Sequence, residues 1–379
     1  MTPRLNVIAV GGAHQYPHFL PASFALHRRG TMAVTIYAND AAAAASVRAL
    51  AGRLRMDCPP IVEMRLPPGI EQLAGRFAAR PFKVPRLLYW ASRLRRCEAL
   101  LSAERTSTVL CHLPGRMPMF LHIPHGAGDR DAGFERRLRH FDHIVVAGEK
   151  DRSRMIAEGL VAPAACHVGG SVKLGAMARI ADRIRPFAGE RPCVLYNPHF
   201  SPELSSFEAV TERLIEAVVR DGRYDLVVAP HVRLAESWSA AKRRAWEARS
   251  VPGRIIVDMG SERSSDMTYT MAADVYLGDA SSQVYEFIVR PRPCLFVNAH
   301  GVDWEDDKNF AMWRLGLTIG PNEDLLQAID RARAAHSDFA TLQQQTARAV
   351  FDVGGPEAGE ADPIERVADL ITDIVAGGS

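Results

Sequence analysis

The chain has 379 residues, of which 47% are hydrophobic and 24% charged, with a formal net charge of +2. That length suffices for two domains of ordinary size, and the composition is that of a soluble globular protein. The near-neutral balance excludes a global nucleic-acid signature, and the sequence has no run of about 18 apolar residues to cross a bilayer.

The six cysteines (Cys58, Cys97, Cys111, Cys166, Cys193, Cys294) have no CxxC spacing and read as buried thiols. The N-terminus runs straight into a strand without the basic and apolar regions of a signal peptide, so a cytoplasmic location is expected. Residues 5–10 form that strand. Gly11-Gly12 and His14 follow, then a helix over 22–29, which together open a Rossmann-like unit. The glycines do not make GxGxxG, so no dinucleotide site is expected. They suggest close approach of a substrate, with a tight turn as the other reading. A strand over 33–37, an Ala-rich helix over 41–54 and a short strand over 61–64 come next.

Residues 69–105 differ. Arg76, Arg80, Lys83, Arg86, Arg93, Arg95 and Arg96 alternate with Phe77, Phe82, Leu87, Leu88, Tyr89, Trp90 and Leu94. A basic, aromatic helix of this kind can lie on an anionic membrane, here the inner face of the plasma membrane. The alternative is a surface helix that packs its apolar face on its own domain. Strands over 107–111 and 119–123 lead to Pro124-His125-Gly126. A histidine on a constrained loop at a strand's carboxyl end sits where open α/β sheets bind ligands. It is suited to act as a general base; a turn histidine is the bland alternative. A strand over 143–147, a helix to Glu158 and the loop Gly169-Gly170 complete the first half.

A polar Pro/Gly/Arg connection over 181–193 marks a boundary. The expected organisation is an N-terminal acceptor domain over 1–185 and a nucleotide-donor domain over 190–355. A C-terminal helix over 360–379 would pack back on the first. In the second half, strands over 193–196, 224–229, 254–257, 274–278 and 294–297 alternate with helices over 203–219, 235–249, 266–273 and 283–289. Helices over 322–335, 339–351 and 363–375 follow. Asn197, His199, His231, Arg233, Thr268, Asp279, Ser281, Ser282 and Glu286 fall at or just past successive strand ends, the shared edge of a parallel sheet. The stretch 272–298 reads strand, polar turn, helix, strand. A helix that begins at Ser281-Ser282 would hold a phosphate on its unpaired N–H groups; the other reading is that these serines only cap it. On the acceptor side the candidates are Gly11, Gly12, His14, Gly126 and Gly170.

Several ordered motifs resemble the CDP-glycerol glycerophosphotransferase (teichoic acid polymerase-like) family, over most of the chain from about residue 118. Ile123-Pro-His125-Gly126 looks like its His-Gly loop, and Val145-Val-Ala-Gly-Glu149 its next strand and turn. Val194-Leu-Tyr-Asn-Pro198 resembles the strand that opens the nucleotide domain. Val228-Ala-Pro-His231 resembles Lys-Pro-His, the segment 273–282 resembles Asp-Tyr-Ser-Ser, and Arg292-Pro293 resembles Lys-Pro. The resemblance implies an α/β GT-B fold, two Rossmann-like domains facing across a cleft. It implies metal-independent, cofactor-free transfer of a glycerol-phosphate-like or glycosyl group from a nucleotide-activated donor, CDP-glycerol or similar. The acceptor would be a hydroxyl of a glycan or lipid-linked molecule in cell-surface polysaccharide synthesis; no nucleic-acid partner is expected. His125 would be the base, His231 would stabilise the leaving phosphate, Ser281 and Ser282 would bind phosphate, and Glu286 would reach a ribose. Ala229 replaces the lysine, Ala280 the tyrosine, and His199 stands where the family tends to have Thr or Trp, which leaves the donor open. A UDP-sugar 2-epimerase-like enzyme and an inactive nucleotide-binding protein are the competing classes. The one Asp-x-Asp, Asp129 with Asp131, is expected in the acceptor half.

Overall fold

The computed structural model describes residues 2–76, 82–126, 128–129, 131–180, 186–352 and 362–377. Phe77, Arg80 and residues 181–185 of the expected linker lie outside the described residues, as does the side chain of Arg76. Two compact units are present. The first comprises Met1–Ala127, Phe134–Ile180 and Ala349–Ser379; the second comprises Gly128–Gly133 and Ala181–Arg348.

The first unit runs β1 (Arg4–Ala9), α1 (Leu20–Arg29), β2 (Ala33–Ala38), α2 (Ala41–Leu54), β3 (Ile61–Glu63), α3 (Pro68–Arg76), α4 (Lys83–Leu94), β4 (Ala99–Ser102), β5 (Met119–His122), β6 (His143–Val146), α5 (Glu149–Ala157), β7 (Cys166–Val168) and α6 (Val172–Ile180). Its seven strands are all parallel, in the order β3-β2-β1-β4-β5-β6-β7. The second runs β8 (Cys193–Asn197), α7 (Phe207–Asp221), β9 (Asp225–Val228), α8 (Ala240–Glu247), β10 (Ile255–Val257), α9 (Thr268–Ala272), β11 (Val275–Gly278), α10 (Gln283–Phe287), β12 (Cys294–Val297), β13 (Leu317–Ile319), α11 (Leu325–Ala334) and α12 (His336–Phe351), whose end from Ala349 on falls in the first. Its six strands are parallel in the order β10-β9-β8-β11-β12-β13. The central strands are short apolar runs buried along their whole length, as parallel strands covered on both faces must be.

Local chemistry sets the boundaries. The Asp40 carboxylate caps α2 by accepting from Ala43 N, and Gly30 ends α1 in the left-handed region at φ 65°. The last helix, α13 (Pro363–Gly377), packs against α1 and α6. Its face of Ile364, Val367, Ala368 and Ile371 is fully enclosed. Arg29 of α1 pairs with Glu365 and Asp369, and Arg179 of α6 pairs with Asp362.

Three expectations are corrected. The run 107–111 is not a strand; Arg105–His112 is a 3-10 helix, and the strand lies earlier, at β4. Ser102 Oγ accepts from Glu104 N at 3.1 Å, and Ser107 donates back to Glu104 O, so hydroxyl-to-backbone bonding turns the chain there. Helices expected from 203 and 235 begin at Phe207 and Ala240; Ser239 Oγ caps the second through Lys242 N. The stretch 69–105 is not one basic face. Arg86 is buried, donates to Met64 O at 2.8 Å and pairs with Glu71, while Lys83 pairs with Glu104 at 2.8 Å.

Gln343 of α12 is the clearest single polar pin in the second unit. Its amide, 0% exposed, donates to Leu315 O at 2.7 Å and Arg292 O at 3.0 Å and accepts from Arg292 N at 3.0 Å. Gln343→Ala leaves these groups unpaired, and we expect a loss of about 2–4 kcal/mol in chemical denaturation. A loss below about 0.5 kcal/mol would show that the pin contributes nothing.

Candidate functional site

Open parallel sheets bind ligands at the carboxyl ends of their strands, where strand order reverses. The reversal falls between β1 and β4 in the first unit and between β8 and β11 in the second.

In the first unit, Ala13–His18 form a 3-10 helix directly after β1. It carries His14, the buried Gln15 and His18. Gln15 Nε2 donates to Glu104 Oε1 at 2.9 Å and lies 3.1 Å from His125 Nε2. Glu104 follows β4, and Lys83 Nζ donates to the same Oε1 at 2.8 Å. His125 follows β5, with Nδ1 3.0 Å from Ala103 O. A carbonyl only accepts, so Nδ1 carries the proton and Nε2 is the basic nitrogen. Burial holds the His125 pKa below its ordinary value, against the pull of the Glu104 charge. Gly126, at φ 86°, donates its N–H to His18 Nδ1 at 3.4 Å. Burial pushes His18 well down, and Lys173, His125 and His14 add to it.

The glycines serve the chain itself. A Cβ on Gly11 would lie 1.7 Å from Gln15 Oε1, and one on Gly12 would lie 2.7 Å from the His14 ring. Substrate approach, expected there, is replaced by the approach of Gln15 and His14. Gly170, expected on the acceptor side, is covered by α13: a Cβ would lie 2.2 Å from the Arg366 guanidinium, whose Nε donates to Gly169 O at 2.9 Å. Gln15, Lys83 and Glu104 escaped the sequence reading as site residues. Glu104 was legible only once β4 is placed at Ala99–Ser102, which makes it the first carboxylate past a central strand.

In the second unit, Asp279 follows β11 and is 0% exposed. Its Oδ1 accepts from His199 N at 2.7 Å, and its Oδ2 from Ser206 N at 2.7 Å and Ser206 Oγ at 2.9 Å. Burial pushes its pKa up to about 6 against these bonds. Asn197 donates to Ala229 O at 2.6 Å and accepts from Tyr276 OH at 3.2 Å. Asp279 and Asn197, expected to touch the donor, are therefore spent inside the fold.

His199 and His231 end the adjacent strands β8 and β9. His199 Nδ1 accepts from Ser201 N at 3.0 Å, and His231 Nδ1 accepts from Arg233 N at 3.3 Å. Each ring, when neutral, therefore carries its proton on Nε2. The rings are 5.9 Å apart, with Phe200 4.2 Å from one and 4.9 Å from the other, and the Arg233 guanidinium stacks 4.0 Å over Phe200. After β10, Thr268 is 3% exposed, and neither its Oγ1 nor the Oγ of buried Ser264 has a hydrogen-bond partner. Met267 between them is held at φ 65°.

The helix expected to bind phosphate, α10, has five residues. So short a helix has little macrodipole, and the anion site read from it loses its main physical support. Ser282 sits at its N-cap position without a side-chain cap bond, Ser281 is buried with Oγ accepting weakly from Gln283 N at 3.4 Å, and Glu286 is buried on the helix. The Asp-x-Asp pair belongs to the second unit rather than the acceptor half. Asp129 accepts from Tyr285 OH of α10, and Asp131 pairs with Lys308 at 2.9 Å.

Asp279 offers a pH test. Its folded pKa of about 6 exceeds the 3.8 of a free carboxyl, so the folded state holds the proton more tightly. The stability so contributed is complete below pH 3.8 and is lost as pH rises to 6. Relative to Asp279→Asn, which lacks this titration, the native protein is expected to lose on the order of 2–3 kcal/mol across that window and nothing above it. Denaturation of both proteins at several pH values checks this; parallel curves would refute it.

No protein-family model matches the sequence, and no curated protein matches it. Solved structures do. A putative UDP-N-acetylglucosamine 2-epimerase from Listeria monocytogenes aligns with a TM-score of 0.65 at 13% identity, over 99% of this chain and 97% of that one. The wall teichoic acid polymerase TagF aligns with a TM-score of 0.62 at 10% identity, over 100% of this chain and 89% of that one. A UDP-GlcNAc 2-epimerase from Neisseria meningitidis, solved with UDP-GlcNAc, aligns with a TM-score of 0.56 at 11% identity, over 98% and 99%. With the two parallel sheets, these likenesses establish the fold as α/β of GT-B type.

Proposed function

We propose that the protein transfers a glycerol-phosphate-like group from a cytidine-diphosphate-linked donor to a hydroxyl of a glycan or lipid-linked acceptor. The observation that carries this is the tautomer pair. His199 and His231 each spend Nδ1 on a backbone N–H, which leaves the proton of the neutral ring on Nε2, the kind of donor that a phosphate needs. Thr268 Oγ1 and Ser264 Oγ supply further hydroxyls on the same sheet edge, and buried hydroxyls without partners are costly unless a ligand or water pairs with them. Arg233 completes the proposed donor set.

His125 in the first unit is the proposed base. The acceptor O–H gives its proton to His125 Nε2, and its oxygen bonds to the distal phosphorus of the diphosphate. The bond from that phosphorus to the bridging oxygen breaks, and the nucleoside monophosphate leaves with the electron pair. His231 and His199 stabilise the charge that develops on it. No cofactor enters these steps. A second reading, a UDP-sugar 2-epimerase, draws on the alignment with epimerases; it predicts a free or rearranged sugar as product without any acceptor.

Thermal shift with CDP-glycerol, CDP-ribitol and UDP-GlcNAc separates the two, since a ligand of the native state raises the midpoint. We expect the cytidine compounds to act. His231→Ala is expected to weaken donor binding, while His125→Ala keeps binding and loses about 100-fold or more in turnover. Stabilisation by UDP-GlcNAc alone, with a free or rearranged sugar formed in the absence of an acceptor, would establish the second reading.

The helix α4 is proposed to rest on an anionic lipid surface. Leu88 and Tyr89 are 41% and 58% exposed, Arg93 and Arg96 are exposed beside them, and α4 contains no acidic residue. No helix among the described residues is long and apolar enough to cross a membrane. Sedimentation with phosphatidylglycerol vesicles is expected to capture the protein, and the double substitution Leu88→Asp with Tyr89→Asp to release it. Equal capture of both proteins would sink the proposal.

A further inference from the structure

The proton position on His125 is enforced from outside the ring. Lys83 Nζ and Gln15 Nε2 both donate to Glu104 Oε1, at 2.8 and 2.9 Å. The Lys83 charge and the Gln15 bond oppose burial and hold the Glu104 pKa below its ordinary value, so the carboxylate is an acceptor only. That fixes which way the Gln15 amide faces: its other orientation would set a carbonyl oxygen against a carboxylate. The second N–H of the same nitrogen is left for His125 Nε2, 3.1 Å away. On the opposite side of the ring, Ala103 O accepts from Nδ1 at 3.0 Å. A proton on Nε2 would face the amide N–H head-on. Gly11 belongs to the same device, because a side chain there would overlap Gln15 Oε1.

We propose that Gln15, oriented by Glu104 and Lys83, is a positioning residue: it holds His125 as the Nδ1–H tautomer and occupies Nε2 until an acceptor hydroxyl takes that place. The inference rests on the reading of His125 as the base in what it says of the acceptor, and on geometry alone in what it says of the ring. The hydroxyl donates to Nε2 as the amide did, so the exchange keeps the bond count at the nitrogen. Once the hydroxyl has given up its proton, the ring becomes an imidazolium. Glu104 is then the charge that stabilises it. Among the described residues, Lys83, Arg105, His18 and His122 also act on the ring, and none of these four is an acid.

The test is nitrogen NMR on the full-length protein with 15N-labelled histidine, with the His125 signals assigned by their loss in His125→Gln. In the native protein we expect one tautomer, with a lone-pair-type Nε2 and a titration below the ordinary histidine range. In Gln15→Met, which keeps the side-chain length and loses the amide, we expect a tautomer mixture and a midpoint about one unit higher. Glu104→Gln, which frees the amide to turn over, is a second variant expected to mix the tautomers. The acid limb of the kcat/KM profile should rise in pH with the His125 midpoint of Gln15→Met. His125 signals that are the same in Gln15→Met and the native protein would overturn the proposal. If the signals change but His125→Ala turns over normally, the positioning network stands and the base assignment falls.

Discussion

A carboxylate ties the two sides of the switch point in each sheet. In the second unit Asp279, just past β11, accepts from the backbone of His199, just past β8. In the first unit Glu104, just past β4, accepts from the side chain of Gln15, just past β1. Strand order reverses at both places, and at such a reversal the loops of an open parallel sheet run apart. Divergent loops have no ladder to hold them, and an acidic side chain that reaches across supplies strong, directional acceptors. Asp279 bonds with three donors, and without it the amides of His199 and Ser206 would be left buried and unpaired, at a cost of about 1–3 kcal/mol each.

The two ties differ in what they leave for chemistry. Asp279 is enclosed and saturated, so its work is to hold the His199 backbone and the start of α7. Glu104 is shared between a cation and an amide, and the amide passes its orientation on to His125. Histidine tautomers follow the same logic elsewhere. In His199 and His231 a backbone N–H two residues on determines the protonated nitrogen; in His125 a carbonyl and an amide do so with the opposite result. Proton donors thus stand at the edge of one sheet and a proton acceptor at the edge of the other, from one residue type.

Glycine-rich loops at strand ends invite a ligand interpretation, because a missing Cβ lets backbone approach a phosphate. Here the vacated space is filled by the protein. Gly11 and Gly12 admit Gln15 and His14, and Gly169 and Gly170 admit Val367 and Arg366 of α13, almost two hundred residues on. Arg292 shows the same for a motif arginine: it closes the carbonyl ends of α9 and α10 by donating to Met271, Ala273 and Phe287, and burial drops its pKa to about 9.

The order of strands and helices, and with it the doubly wound class, is written in the sequence, because a parallel strand buried on both faces must be a short unbroken apolar run. Val7, Leu226, Leu277 and Phe296 lie in such runs, and Pro, Gly or capping residues punctuate them. The same periodicity put His125, His199 and His231 past strand ends. Sequence alone could not separate an Asp279 that meets a ligand from one that meets two backbone amides, since both are polar residues after a strand. It could not show that α10 stops after five residues, nor that Gln15 pairs with a glutamate 89 positions away. Those outcomes depend on which loops the sheet brings side by side, and strand order, not local propensity, decides that.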